Sequence, residues 1–367
     1  MKKIIALGLM SGTSADGISI SSVNISAKKS IEVLKYKTYA YDMKLRKKIL
    51  AAPQMKVFQL SELNFELGKL WAKSVYKFCK SADLKYKDIA VIGSHGQTVC
   101  HSPFTHIPNT LQIGEPSFIA EETGRPVVCD FRPMDMALGG QGAPLIPFLD
   151  EFMFGNGGPK LLLNIGGIAN FSHVGKGVKT LAFDTGPGNC LMDSLIEQVT
   201  RGKIQFDRNG ALAKKGEIDY KKTDKMLKES FFRMKPPKSA DRHDFSLKFI
   251  KKYFRNINSK NMPDIMATLN YLTAKSIEIS IKKYVGALPS EMIVSGGGVF
   301  NFELMKNLKV FLKPMRISSI ADYSMHPLSK EPACFALLAW QALNGKTNHP
   351  SLATGAKNKR ILGKIIR

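Results

Sequence analysis

Apolar residues along this chain fall into short alternating or continuous runs, broken by glycine, asparagine and proline. Runs of this length and spacing predict strands at 3–10, 18–25, 31–40, 89–93, 126–130, 160–165, 168–174, 178–184, 291–295 and 315–319. Between them the period changes. Leu63, Leu67, Leu70, Trp71, Ser74 and Phe78 recur at helical spacing across 61–80. A second helix is predicted at 117–123, stopped by Gly124 and Pro126. A third runs over 264–285 with Asp264 as its N-cap. A fourth covers 331–343, with Pro332 at its first position and Asn344-Gly345 as its stop. Strands alternating with helices predict an α/β protein.

The pattern also repeats. The N-terminal block runs strand, glycine- and hydroxyl-rich turn, alternating strand, turn, third strand. Residues 160–184 do the same, with Gly166-Gly167 in the first turn and Gly175-Lys176-Gly177 in the second. Two such units predict two similar domains facing across a cleft; two unrelated meanders are the alternative. We place the domains at 1–135, with 346–367 packing back on it, and at 136–345.

Composition narrows the class. At 367 residues, 44% hydrophobic and 23% charged, the chain has material for two cores. No apolar run approaches the roughly 18–20 residues that span a bilayer. Met1-Lys2-Lys3 and the apolar run after it look like a signal peptide, but Ser11–Gly17 reads as a turn and not as a cleavage site. The five cysteines are odd in number and widely spaced, which predicts free thiols and a cytoplasmic protein. The net charge of +24 raises nucleic acid or a membrane surface as partner. The lysines are scattered, however, and no nucleic-acid-binding motif accompanies them. We expect no nucleic-acid partner and no membrane.

Several strand ends carry candidate chemistry. The first is Gly8–Gly17, where Gly12 and Gly17 permit positive φ, and Ser11, Thr13 and Ser14 add hydroxyls to a row of backbone N–H groups. That suits a phosphate, and it equally suits an ordinary hairpin. Asp184 closes the predicted strand 178–184 and enters Thr185-Gly186-Pro187-Gly188-Asn189. It is placed for general-base work or for capping the next helix; since Thr185 or Asn189 can cap, we favour the base. Ser295-Gly296-Gly297-Gly298 precedes a helix begun by Asn301, implying close approach of a nucleoside or tight helix–sheet packing. Ser94-His95-Gly96-Gln97-Thr98 offers donors and acceptors suited to sugar hydroxyls. Arg132 suits a two-pronged grip on carboxylate or phosphate, or an ion pair. Glu331 faces either a helix dipole or a ligand. Lys235–Ser239 is a basic loop, either a flap or a connection. His95, His101 and His106 lack a metal-binding context, and we expect no metal site there.

Together these motifs closely resemble the anhydro-N-acetylmuramic acid kinase family. The resemblance runs from Gly8 to the tail through GLMSGTSADG (8–17), SHGQTVCHSP (94–103), TLQIGEPSFIAEETGRPVVCDFR (110–132), GGQGAPLIP (139–147), NIGGIANFS (164–172), DTGPGNCLMD (184–193), PPKSADRHDF (236–245), SGGGVFN (295–301), KEPACFALLAW (330–340) and HPSLATGA (349–356). It implies two actin-like ATPase (ribonuclease H-like) domains and a homodimer. It also implies a reaction: ATP and water open 1,6-anhydro-N-acetylmuramate and phosphorylate its O6. The chain departs from the family where Ser19 stands in place of a usual Asp, Ala15 in place of a larger apolar residue, and Asn270 in place of Thr.

On this resemblance Ser11, Gly12, Thr13, Ser14, Ala15, Asp16, Gly17 and Ile18 form the phosphate turn. Asn164, Gly166 and Gly167 are its counterpart, and Gly296, Gly297, Gly298 and Asn301 lie against the nucleoside. Mg²⁺ bridges the phosphates, with Asp16 orienting its waters. Asp184 is the base, and Ser94, His95, Gln97, Arg132 and Glu331 line the sugar side. A sugar kinase for another amino sugar, or a chaperone-like ATPase, is the alternative.

Overall fold

A computed structural model describes residues 4–26, 30–236, 238–240, 244–350 and 353–367. Met1–Lys3, Pro237 of the basic loop, and parts of the PPKSADRHDF and HPSLATGA motifs lie outside the described residues. The chain divides into two compact units. One is Met1–Met153 with Ser324–Arg367, and the other is Phe154–Tyr323. These divisions fall at other positions than the 135/136 and 345/346 boundaries expected from the sequence, and the returning tail belongs to the first unit.

The strands in chain order are β1 (Ile4–Ser11), β2 (Gly17–Ile25), β3 (Ile31–Ala40), β4 (Ile89–Ser102), β5 (Asn109–Ile113), β6 (Val127–Cys129), β7 (Lys160–Ile165), β8 (Ile168–Val174), β9 (Leu181–Pro187), β10 (Glu291–Ser295), β11 (Arg316–Ser319) and β12 (Lys364–Ile366). The first unit holds a seven-stranded sheet in the order β12-β6-β4-β1-β2-β3, with β5 on β4. The second holds a five-stranded sheet in the order β11-β10-β7-β8-β9. In each, a first strand pairs antiparallel with a meander on one side and parallel with a later strand on the other. The repeated pattern in the sequence is therefore a repeated topology, of the ribonuclease H-like kind.

Four expectations change. β4 continues to Ser102, so Ser94, His95 and Gln97 lie inside a strand and not at its end. β9 is shifted to 181–187, which puts Asp184 in mid-strand. Pro332 is the third residue of the helix Lys330–Leu343, and the helix Met262–Tyr284 has Asn261 as its N-cap with Pro263 in its first turn. Short β5 and β12 went unread because neither has a clear alternation of its own.

Helices cover both faces of the first sheet for different reasons. Leu63, Leu67, Trp71 and Phe78 of the helix Val57–Ala82 bury against Leu7, Leu9, Ile18, Ile20 and Ile92. On the other face the helix Lys330–Leu343 is rich in alanine, and Ala333, Ala336 and Ala339 are buried. The sheet meets it with glycines. A Cβ on Gly8 would lie 1.8 Å from the Pro332 carbonyl oxygen, and one on Gly93 2.1 Å from that of Phe335. Backbone thus sits directly on backbone, leaving no room for any side chain.

The tail is tied by one buried carboxylate. Asp135 accepts from the Gly142 N–H at 2.6 Å, from the Thr354 hydroxyl, and bonds His349 Nε2 at 2.6 Å. β12 then pairs with β6. In the second unit Phe171, Phe183, Ile277, Ile281, Leu304 and Leu308 form the core between the sheet and its helices. All five cysteines are free thiols. Among the described residues no helix is long and apolar enough to cross a membrane, and no cluster of metal-ligating side chains occurs.

Gly8→Ala is expected to cost more than about 3 kcal/mol, because the clash is with backbone and no rotamer relieves it. Urea unfolding checks this; a midpoint near wild type would show that the helix can retreat from the sheet.

Candidate active site

The turn between β1 and β2 is held from beneath. Gln97 and Ser11 are 1% and 0% exposed. Ser11 Oγ donates to Gln97 Oε1 at 2.6 Å, since an amide oxygen carries no proton, with the Gly17 carbonyl as a longer alternative at 3.2 Å. The Tyr41 hydroxyl, 2.9 Å from Ser11 Oγ, must then donate to it, and Tyr41 in turn accepts from Trp71 Nε1–H at 2.9 Å. Gln97 passes the chain on, donating from Nε2 to the Gly12 carbonyl at 3.2 Å. Burial pushes the Tyr41 phenol up to about 12, so it stays a donor at any ordinary pH.

This geometry revises several sequence readings. The Ser11 hydroxyl faces inward and gives its proton to Gln97. Gln97 is engaged under the turn at both ends of its amide. The left-handed residue is Ala15, with φ +51, and neither Gly12 nor Gly17 has positive φ. Gly17 serves packing, since a Cβ there would lie 2.4 Å from the Tyr39 carbonyl oxygen. Ala15 and Ile18 are buried, so they present only backbone. Thr13 and Asp16 are exposed, and Gly12 and Ser14 partly so. Arg46 ties the outer rim, with a guanidinium nitrogen 3.3 Å from the Asp16 carboxylate and Nε donating to the Ser14 carbonyl at 3.3 Å. Ser19 bonds Thr38 at 2.8 Å and Tyr36 at 3.3 Å, so a hydroxyl cluster stands where the family resemblance leads one to expect an acid.

A second group in the same unit is assembled on β4 and two helices. His95 Nδ1 donates to the Gly96 carbonyl at 2.8 Å, and Nε2 accepts from Arg132 Nε–H at 3.1 Å, which fixes the tautomer. Burial, and then the nearby Arg132 charge, hold His95 down to about 3, so the imidazole is neutral. Burial lowers Arg132 to about 10, opposed by the negative fields of Glu331 and Asp135; it remains a cation at neutral pH. His95, Arg132 and Glu331 are thus brought together. Ser94, 2% exposed, lines a cavity of about 460 Å³ with His95, Asn64, Gln112, Asp130 and Lys364.

In the second unit Asp184 sits opposite Asn170, beside a bulge at Thr185 of β9. Its N–H donates to the Lys238 carbonyl at 3.1 Å, and its Oδ2 accepts from the Ala240 N–H at 2.8 Å. Asp184 caps no helix. Asn189 does not cap with its side chain either: its amide donates to the Ile165 and Gly166 carbonyls, and Thr185 donates to Ala169. Burial raises the Asp184 carboxyl to about 7, against the lowering effects of the Ala240 N–H and the Lys238 charge.

The Gly296–Gly298 segment resolves toward packing at two positions. A Cβ on Gly296, at φ +83, would meet the Ile165 carbonyl oxygen at 2.6 Å, and one on Gly298 the Ile165 side chain at 2.4 Å. Gly297 is partly exposed. Asn301 turns inward: its Oδ1 accepts from the Leu304 N–H at 3.1 Å and from Asn270 Nδ2 at 3.0 Å. Asn270 also accepts from Asn307 at 3.1 Å, so it uses both ends of its amide, where a Thr would have to donate and accept from one shorter-reaching oxygen. Asn164 is 7% exposed and accepts from Ser295 at 3.3 Å. Gly166 and Gly167 give their carbonyls to the N–H groups of 188–190.

Comparison with known proteins decides the family. A family model described as anhydro-N-acetylmuramic acid kinase matches residues 4–367. The chain belongs to the anhydro-N-acetylmuramic acid kinase family. It is 38% identical over 381 residues to the anhydro-N-acetylmuramic acid kinase of Caldanaerobacter subterraneus subsp. tengcongensis, covering 98% of this chain and 96% of that one. It is 35% identical over 377 residues to the enzyme of the same name from Bacillus cereus, with 98% of each covered. Among solved structures, a reductive activator for corrinoid, iron-sulfur protein matches with a TM-score of 0.48 and 14% identity, covering 94% of this chain and 62% of that one.

Sequence reading missed Tyr41, Trp71, Arg46 and Lys238 as parts of these groups. Tyr41 and Trp71 carry an apolar signal that masks their polar ends.

Gln97→Ala leaves Ser11 and the Gly12 carbonyl without their buried partner. We expect a loss of about 1–3 kcal/mol in stability and a KM for ATP raised about tenfold, with a smaller change for the sugar. Steady-state kinetics in both substrates checks it; a larger rise for the sugar would return Gln97 to the sugar side.

Proposed function

We propose that the protein is an ATP-dependent kinase that opens 1,6-anhydro-N-acetylmuramic acid with water and phosphorylates O6, giving N-acetylmuramic acid 6-phosphate and ADP in peptidoglycan recycling. Family membership supports the reaction class. The observation that carries the mechanism is the setting of Asp184 in the DTGPGN motif: a half-buried carboxyl that accepts the Ala240 N–H at 2.8 Å and that desolvation raises to about 7. A base held near the working pH takes a proton without being so acidic that it cannot keep it.

Asp184 takes a proton from water as the water oxygen bonds to C1. The C1–O6 bond breaks with its electron pair on O6, and O6 attacks the γ-phosphorus in place of a proton from a general acid. ADP leaves, and Asp184 later returns its proton to solvent. The geometry at C1 is that of an inverting glycosidase step, and each bond change assists the other.

On the nucleotide side, Thr13, Ser14 and the exposed backbone of the turn offer donors to phosphate. Asp16, exposed on the same turn, fits a role in orienting waters of Mg²⁺, which neutralises phosphate charge when bound. The inward-facing Ser11 and Gln97 act by fixing that backbone. Arg132, charged and half-buried beside Glu331, suits the lactyl carboxylate of the sugar. A homodimer in the cytoplasm completes the reading.

Incubation with ATP, Mg²⁺ and the anhydro-sugar is expected to give the 6-phosphate by mass spectrometry; no product while ATP binds would overturn the reaction. Asp184→Asn should lose several orders of magnitude in kcat with ATP binding retained. Activity within about tenfold of wild type would remove Asp184 as the base. Because the active form is the carboxylate and its pKa is raised, kcat/KM should fall about tenfold per pH unit below about pH 7. A flat profile down to pH 5 would place the base elsewhere.

A further inference from the structure

Lys238 is 3% exposed, although lysine is among the residues least often buried. It carries no ion pair within contact distance among the described residues. Its Nζ donates to the Phe231 carbonyl at 3.3 Å. The ammonium also lies 4.4 Å from the Phe231 ring centroid and 5.8 Å from that of Phe183. A carbonyl and two aromatic faces thus replace part of its hydration. Phe183 is the neighbour of Asp184 on β9, so the cage that holds this lysine is built on the strand carrying the base.

The backbone around Lys238 does the complementary work. Its carbonyl accepts from the Asp184 N–H at 3.1 Å, and two residues on, the Ala240 N–H donates to Asp184 Oδ2 at 2.8 Å. Residues 238–240 therefore grip Asp184 at main chain and side chain together. β9 is the edge of its sheet, and this segment occupies part of the open edge.

We propose that Lys238 is a positioning residue for the Asp184 carboxylate: its caged ammonium anchors segment 238–240, and its charge favours the ionised base. The inference rests on Asp184 as the base of the proposed reaction. The electrostatics agree with the geometry. Burial and the Lys283 charge lower Lys238 to about 8, and Asp184 opposes that shift. Lys238 in turn lowers Asp184 against a larger raising by burial. Among the described residues, Lys238, Lys283 and Asp184 are the charged groups that enter this balance.

The test is a ¹³C NMR titration of carboxyl-labelled aspartate in the full-length protein, with Asp184 assigned by the signal lost in Asp184→Asn. The wild-type midpoint is expected near 7. In Lys238→Met the midpoint should rise by about half a pH unit or more, because a favourable charge is gone. In Lys238→Arg it should return toward wild type. The acid limb of kcat/KM should follow the same order. A folded Lys238→Met whose midpoint and acid limb match wild type would overturn the proposal. Should Lys238→Met not fold, Ala240→Pro deletes the N–H given to Oδ2 and leaves the cage untouched. Its midpoint should also rise, and an unmoved one overturns the grip. The titration needs no substrate: a shifted midpoint without sugar phosphorylation would fault the reaction and keep the grip, and the converse would do the opposite.

Discussion

The backbone of residues 11–17 is held by one buried hydrogen-bond chain running Trp71, Tyr41, Ser11, Gln97, Gly12. Its members come from a helix, the end of β3, β1 and β4. Each hydroxyl has a single proton, so the Ser11–Gln97 bond sets the direction of every link before it. All of it lies in low dielectric, where a made bond is strengthened and an unmade one is costly. The outer rim is held in a different way. Arg46 reaches Asp16 across partly exposed space, where an ion pair contributes little to stability but still limits where the carboxylate can point. Inside and outside thus divide the work: buried groups fix the backbone, and exposed groups remain for a ligand.

Asp184 obeys the opposite constraint. Its frame has to hold a charge that burial opposes, and among the described residues it supplies the Ala240 N–H and the nearby Lys238 cation. A carboxylate accepting several N–H bonds would drop far below neutrality and become too weak a base. One left without any would stay protonated. Among the described residues, the bond from Ala240 and the Lys238 charge put Asp184 between these limits.

Much of this was legible from the sequence, and the failures share a cause. Strand-turn-strand repeats at 4–40 and 160–187 gave the duplicated topology, because period-two patterning reports burial directly. Asp184 stood out since its glycine-rich surroundings marked a chemically special strand. Ser11 and Gln97 were read as ligand donors because sequence shows which groups a residue carries but not which way they face. Asn301 was placed against a nucleoside on the same grounds, and its side-chain oxygen is spent on the Leu304 N–H and Asn270. Lys238 lay hidden in a basic loop because a buried lysine and a surface lysine look identical in a sequence. The positions of β5 and β12 depend on partners far along the chain, which local pattern cannot supply.

Glycine shows most clearly where local reasoning stops. A glycine in a polar turn invites two explanations, positive φ or close approach of a ligand. At Gly17 the approaching group is the chain itself, the β3 backbone; at Gly298 it is Ile165. The left-handed residue of the first turn is Ala15, whose small buried side chain tolerates φ +51 at a cost of about 1–2 kcal/mol. That strain persists because Ala15 N–H bonds the Gly12 carbonyl at 3.0 Å, and that same carbonyl is the end of the chain from Trp71. Among the described residues the equivalent turn of the second unit has no such device: its Gly166-Gly167 carbonyls are taken by residues 188–190. Two copies of one topology have therefore diverged at equivalent turns. One is an elaborated loop with exposed hydroxyls and a carboxylate, and the other is a tight turn locked to the strand that carries Asp184. Such asymmetry fits the two different tasks of the proposed reaction, gripping phosphate and deprotonating water.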